Sequence, residues 1–395
     1  MAEAEAAQSG APRRFLLLYA LAWAGAAIAY VPFLTILLPV KVEGLAGTSI
    51  GIDWLAWLSF GGALAASAGH LLFGWLSDLT GRRRPWIATG LVLSCLLLLA
   101  MGQASSWAGL LGLIVAWQLA LNMMMAPLAA LAGDHVPDSQ KGLLGGLLAF
   151  APGLGALSGA LVTWPDLMSP QGRLALVAAL VAGAVLPLLL LPLPARTDPA
   201  PQARSAALVH PGATVRRMWL ARLALQIAEA TMFAYLYFWF VTVDASMTDN
   251  RVAGLFAATL VVSAPVALAA GRWADRHGQP FRPLLLAALG ACVGLAAMAL
   301  AQGLAAAVAA FAVFSLASAV FLALHSAQTL RVLPRPERRG RDLGLFNLTN
   351  TIPSLIMPWL TIGLVPRFGF SGLFVALALL CLISALMLAS LSRRE

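Results

Sequence analysis

Charge is scarce in this chain. Only 10% of its 395 residues are Asp, Glu, Lys or Arg, whereas 61% are hydrophobic. A soluble domain carries roughly a quarter charged residues and could not hide so much apolar surface in one or two cores. Cysteine is scarcer still. Cys95, Cys292 and Cys381 each lie inside an apolar stretch, which excludes a disulfide framework and a zinc-ligand spacing and leaves three small buried hydrophobes. No G-x-x-x-x-G-K-[ST] loop and no H-E-x-x-H pair occurs, so neither nucleotide-driven pumping nor intramembrane hydrolysis is expected; no metal or cofactor is implied, and the chain does not read as an enzyme. The start, MAEAEAAQSGAPRR, lacks the basic, apolar and cleavage segments of a signal peptide. Strands of about ten residues with alternating polarity, the mark of a membrane barrel, are also missing.

What remains is a series of apolar runs of the length that crosses a hydrocarbon core about 30 Å thick. We read twelve helical spans at about 15–39, 50–77, 85–103, 106–132, 142–164, 173–193, 215–243, 251–273, 283–301, 304–330, 342–365 and 370–391. The fold class is therefore an all-α membrane protein. Lys and Arg test the orientation. Of 25 such residues only Lys41, Arg173, Arg251 and Arg367 fall on one side; the other 21 fall on the side that holds both termini. That side is read as cytoplasmic. The asymmetry also explains the net charge of +9 without a nucleic-acid partner. The expected organisation is a tail at 1–14, six spans over 15–193, a Pro- and Ala-rich linker at 194–214, six more spans over 215–391, and a tail at 392–395.

The two sets of six are related. The second span ends in G-W-L-S-D-L-T-G-R-R-R-P and the eighth in G-R-W-A-D-R-H-G-Q-P-F-R-P. Gly74 and Gly271, Asp78 and Asp275, and Gly81 and Gly278 are each 197 residues apart. The loops after the fourth and tenth spans agree, with Pro137 and Pro334 separated by 197 and Gly142 and Gly340 by 198. Such internal repeats are a mark of carriers in which two halves rock about a midplane site.

The pattern G-x-L-x-D-x-x-G-R-R-R resembles the signature loop between helices two and three of the major facilitator superfamily. The resemblance implies the twelve-helix fold of that family and a secondary transporter working by alternating access. It also implies a cytoplasmic gate that includes Gly74, Asp78, Gly81, Arg82 and Asp275. Leu79 departs from the pattern, because many members carry an Arg there. Gly81–Ile87, G-R-R-R-P-W-I, and Gly340–Pro353, G-R-D-L-G-L-F-N-L-T-N-T-I-P, resemble a narrower set, the glycoside–pentoside–hexuronide cation symporters and sucrose-type carriers. That likeness implies a sugar or glycoside substrate. Sodium-coupled members have acidic residues where this chain has Ala66 and His70, so proton coupling or uniport is the expectation.

Ionisable groups at membrane depth are costly and therefore functional candidates. Arg222, Gln226, Glu229 and Phe233, spaced by four, three and four residues, share a face of the seventh span, which Tyr237 extends. Glu229, His70 and His325 are the coupling candidates; for Glu229 a structural contact with Arg222 or Gln226 is the competing reading. Sugar sites combine amides with flat aromatic faces. The substrate-binding candidates are Tyr19, Trp23, Gln118, Asn122, Gln226, Tyr237, Gln328, Asn347 and Asn350; Tyr30, Tyr235 and Trp239 are further aromatics. The expected partners are a small-molecule substrate, a proton and the lipid bilayer of a cell's inner (plasma) membrane, with the protein a monomer. Competing readings are a proton-driven exporter of drugs or metabolites, a carrier of organic acids, and, more remotely, a receptor or assembly factor on the same fold.

Overall fold

The computed structural model describes residues 11–148, 150–194, 212–279, 281–332 and 339–392. Of some of these, Asp275 and Asn347 among them, the side chains lie outside what is described. Among the described residues every regular element is helical. In chain order these are α1 (Arg13–Pro32), a π-helical turn (Phe33–Leu37), α2 (Leu38–Thr80), α3 (Arg83–Met101), α4 (Trp107–His135), α5 (Asp138–Leu148) and α6 (Ala151–Val162). There follow α7 (Pro170–Leu190), α8 (Gly212–Val243), α9 (Asp249–His277), α10 (Phe281–Leu300), α11 (Leu304–Val332) and α12 (Arg339–Ser392).

Ten apolar helical stretches are long enough to cross a bilayer, and two of them, of 68 and 44 residues, are each long enough to cross twice. The first bends at Gly47 and the second at Gly369, both with positive φ. The described chain thus makes twelve crossings, as the hydropathy predicts. Boundaries differ where local chemistry intervenes. Pro32 has no N–H to give to the turn before it, and a π-helical turn follows directly. The loop expected near 40–49 is helical on both sides of Gly47. The fifth span, expected to be continuous, is two helices. The second restarts at Ala151 with Pro152 in its first turn, where a missing N–H does no harm. Side-chain caps set other starts: Ser106 accepts from the Gly109 N–H, Ser169 from Gly172 and Thr248 from Arg251.

The surface is apolar. Leu190, Leu300 and Leu71 are 81%, 80% and 76% exposed, a pattern that suits lipid and not water. Aromatic side chains such as Trp117, Tyr235, Phe238, Phe240, Phe311 and Phe374 fill the interior instead. Helices approach closely where glycine leaves room. A Cβ on Gly90 of α3 would lie 2.4 Å from the Met124 backbone nitrogen of α4; one on Gly294 of α10 would lie 2.5 Å from that of Phe314 on α11.

The chain clusters into two compact units, 1–33 with 61–203, and 34–60 with 204–395. In the first, α1 packs on α6 and α7, and α3 on α4 and α7. In the second, α12 packs on α8 and α10, and α11 on α9 and α10. The segment 34–60, which in sequence joins the first two spans, is part of the second unit. Trp57 and Phe60 meet Trp359 of α12 edge-on, with ring centroids 5.2 and 5.5 Å away. Glu43 accepts a 2.7 Å hydrogen bond from the Tyr237 hydroxyl of α8 and a 3.1 Å one from Thr48.

Candidate functional site

Three polar clusters stand out against this apolar background. The first closes the signature loop. Gly81 sits at φ 64° and Gly278, 197 residues later, at φ 61°, so the repeat extends to backbone conformation. A left-handed residue at each place lets the helix stop and turn, which glycine does without strain. Arg83, the first residue of α3, reaches back across the turn. Its Nη1 is 2.5 Å from Asp78 Oδ1 and donates to Ser77 Oγ at 2.7 Å, while Nε donates to Asp134 Oδ2 of α4 at 3.0 Å. One guanidinium therefore ties the ends of α2, α3 and α4. Arg82, which the resemblance brought forward, is exposed and extended (φ −120°, ψ 100°), outside the helix that aims Arg83. Gly74 packs toward Ala126 of α4. Asp275 lies on the last turn of α9, its side chain outside the described residues. Asp134 was not singled out in the sequence; the only signal was its position at the end of the fourth span.

The second cluster is held between α2 and α4. Gly62 and Gly69 bring α2 close to Gln118 and Asn122. Asn122 Nδ2 donates to the Gln118 carbonyl at 2.9 Å, which leaves Oδ1 to accept from His70 Nδ1 at 3.2 Å. Asn122 and Gln118 are buried, whereas His70 is half-buried, its Nε2 left out of this bond. Tyr19 is in the same unit, fully buried, with its hydroxyl donating to the Leu128 carbonyl at 3.0 Å; it stacks on the half-buried Trp23.

The third cluster surrounds Arg222 on α8. Its Nε donates to Gln226 Oε1 (3.2 Å) and to Thr349 Oγ1 of α12 (3.0 Å). Nη1 donates to Ser326 Oγ of α11 at 2.9 Å, and Nη2 to Asn350 Oδ1 of α12 at 3.3 Å. His325 is fully buried beneath; its Nε2 donates to the Met218 carbonyl at 3.0 Å, and its Nδ1 faces Thr329 Oγ1 at 3.2 Å and Arg222 Nη1 at 3.5 Å. A neutral ring with its proton on Nε2 satisfies both nitrogens. Half-buried Glu229 lies three residues beyond Gln226, so Arg222, Gln226 and Glu229 form a row along one face of α8. Ser326 and Asn350 are exposed, which opens the Nη1 and Nη2 edge of the guanidinium.

The other candidates scatter. Tyr237 leaves the row for Glu43. Gln328 is buried on α11. Asn347 is on α12, its side chain outside the described residues. Tyr235 and Trp239 are core aromatics, the latter edge-on to Phe374. Ser326 and Thr349 join the Arg222 cluster although nothing in their spacing marked them.

Two solved structures of a bacterial homolog of the human lysosomal transporter Spinster, both inward-facing, one occupied and one unoccupied, resemble the fold. Their TM-scores are 0.75 and 0.74 at 14% identity, with 96% of both chains covered in each case. The nucleoside transporter NupG gives a TM-score of 0.70 at 13% identity, covering 95% of this chain and 99% of that one. These likenesses bear on fold alone. Among curated proteins none matches the chain. The family model described as Major Facilitator Superfamily matches residues 15–246 and again 218–395, nearly the whole sequence. The chain is thus a multi-pass membrane transporter, taking a small-molecule substrate across a lipid bilayer, and it belongs to the major facilitator superfamily.

Proposed function

We propose that this transporter moves a sugar or glycoside by alternating access, coupled to a proton, in a cell's inner membrane and as a monomer, with both termini cytoplasmic. The observation that supports it is the row of Arg222, Gln226 and Glu229 on one face of α8, with Arg222 bonded to Gln226, to the hydroxyl of Ser326 and to the amide of Asn350. Directional amides and hydroxyls at membrane depth suit a solute rich in hydroxyls. The Gln118–Asn122–His70 cluster is a second set of the same kind, and Trp23, stacked on Tyr19, is an aromatic face in the same unit. The likeness to glycoside and sucrose carriers in the two loops points the same way.

Glu229 is the proton site in this reading, because it is the carboxylate on the face of α8 that carries Arg222 and Gln226, and its charge acts on Arg222. Taking up a proton removes that charge. His70, with one nitrogen left out of its bond to Asn122, is a second proton candidate; His325 acts by positioning Arg222. The Arg83 bridge, with Asp78 and Asp134, is the cytoplasmic gate in this reading, carrying the role the loop implied for Gly74, Gly81, Arg82 and Asp275.

Reconstituted vesicles with an imposed pH gradient test the assignment. A labelled sugar should accumulate against its gradient and unlabelled sugars should compete. If no sugar competes and a lipophilic dye is extruded instead, the sugar reading fails.

A further inference from the structure

Arg14 and Arg217 stand near the starts of α1 and α8, the first helices of the two sets of six. Each set also ends on a helix that packs beside its first, α7 beside α1 and α12 beside α8. In the second set the chain answers the arginine: Arg217 Nη1 donates to Ser390 Oγ, in the last turn of α12, at 3.1 Å. In the first set it does not. The last turn of α7 offers Pro187 and Leu190, followed by Leu191, and Arg14 has no hydrogen bond or ion pair among the described residues. A cavity of about 750 Å³ opens there instead, lined by Arg14, Leu17, Leu18, Pro187, Leu190 and Leu191.

The cavity follows from the side chains. α1 and α7 touch at Gly25, where a Cβ would lie 2.9 Å from Ala184 Cβ. About two turns nearer Arg14, Leu17 and Leu18 stand on α1, and α7 carries Pro187, which has no N–H to give its own turn. Bulkier side chains hold the helices apart there. Leu17 and Leu190 are 57% and 81% exposed, so the cavity opens sideways onto lipid. Arg14 precedes the first apolar run, on the side rich in Lys and Arg, which sets it at headgroup level with the leucines deeper.

A void of this size lies within the roughly 300–1,000 Å³ of small-molecule sites. Its walls exclude most occupants. A sugar would leave hydroxyls unpaired against leucine, and a neutral apolar molecule would leave Arg14 unanswered. An amphiphile with an anionic head satisfies both ends. The leaflet supplies one, because anionic lipids give the cytoplasmic face its negative potential and a guanidinium matches phosphate bidentately.

We infer that the cleft between α1 and α7 binds one anionic phospholipid, its phosphate on Arg14 and an acyl chain along Leu17, Leu18, Pro187 and Leu190. The lipid does for the first set of helices what Ser390 does for the second. The site shares no residue with the three polar clusters, so it stands whatever solute the transporter carries.

The test uses full-length protein, delipidated in detergent, with phosphatidylglycerol, phosphatidylcholine of the same acyl chains and inorganic phosphate as probes; native mass spectrometry counts the lipids bound. One phosphatidylglycerol should bind at roughly ten- to hundredfold lower concentration than phosphatidylcholine, the range expected for hydrogen bonds to a charged group. Arg14→Gln should remove that preference, whereas Arg13→Gln, which deletes the adjacent charge outside the cleft, should keep it. Leu190→Trp, which fills the cleft, should displace the lipid with the arginine still in place. An unchanged melting temperature of the lipid-free variants controls for folding. Equal binding of the two lipids overturns the inference. So does an equal loss in Arg13→Gln and Arg14→Gln, which would mean diffuse attraction to a charged surface. Displacement of phosphatidylglycerol by inorganic phosphate would make this an ion site and overturn the lipid assignment. Glu3, Glu5 and Asp198 lie outside the described residues. Glu3→Gln, Glu5→Gln and Asp198→Asn together should leave binding unchanged; a severalfold gain would mean that the chain's own carboxylates answer Arg14, and the inference falls.

Discussion

Arg83 and Arg222 are the same side chain in opposite circumstances. Arg83 sits at the end of a helix, joined to Asp78 and Asp134, its charge cancelled twice over. Arg222 lies inside a helix among neutral oxygens and a neutral imidazole. Water could have served Arg83 at little cost, yet it is paired with two carboxylates; Arg222 has no ion pair among the described residues. The difference separates an arginine that ties three helices through carboxylates from one that ties three helices through neutral groups. The two repeats show the same contrast. Counting 197 residues on from Arg83, Asp134 and Ser77 gives Pro280, Arg331 and Ala274, so the second copy of the loop retains its turn and its acid but none of the bridge.

That contrast can be broken by mutation, and the largest effect is expected at Glu229. Glu229→Gln removes the carboxylate whose charge acts on Arg222. It should abolish gradient-driven accumulation in vesicles while leaving solute exchange and monodispersity intact; undiminished accumulation would refute the coupling role. Next comes Arg83→Gln. It strands Asp134, whose side chain is 25% exposed, at a cost of about 1–3 kcal/mol. A cysteine placed on the cytoplasmic side should become severalfold more reactive, and adding Asp134→Asn should change little further, because the shared bond is already gone. Asp78→Asn should do less, about 1 kcal/mol or below, since Asp78 is 66% exposed and well screened. An equal or larger effect than Arg83→Gln would mean that Asp78 has another partner in the working cycle. Smallest of the gate changes should be Asp275→Asn, with cysteine reactivity unaltered, because no arginine stands at the position equivalent to Arg83. Tyr19→Phe removes one buried hydrogen bond to Leu128 and should lower stability by about 1 kcal/mol without altering sugar competition; a change in competition would return Tyr19 to the binding site.

The spans, their number and the repeat were legible because lipid imposes them through length, hydropathy and Lys/Arg placement. Partner choice was not. Arg82, Arg83 and Arg84 are equivalent as letters, and only the helix start at Arg83 decides which of them turns back toward Asp78 and Asp134. On the seventh-span face, Arg222 and Gln226 are one turn apart and do bond each other. Tyr237 bonds Glu43 instead. Fifteen residues at 3.6 per turn drift by about 60°, enough to carry that side chain off the face and toward Glu43. The break in the fifth span was written in Gly145, Gly146 and Pro152, but apolar continuity concealed it. Ser326 and Thr349 had no signal of their own, since a hydroxyl in an apolar helix usually bonds its own backbone. Ser326 does so as well, to the Leu322 carbonyl.

The segment 34–60 has a consequence for biosynthesis. Trp57 and Phe60 leave the ribosome about three hundred residues ahead of Trp359, the ring they finally pack against. Until the eleventh span is inserted, the tip of the first hairpin has no aromatic counterpart, and Glu43 waits for Tyr237 in the same way. A nascent chain halted within the linker would therefore hold six inserted helices and an unfinished hairpin, a species for membrane quality control to recognise.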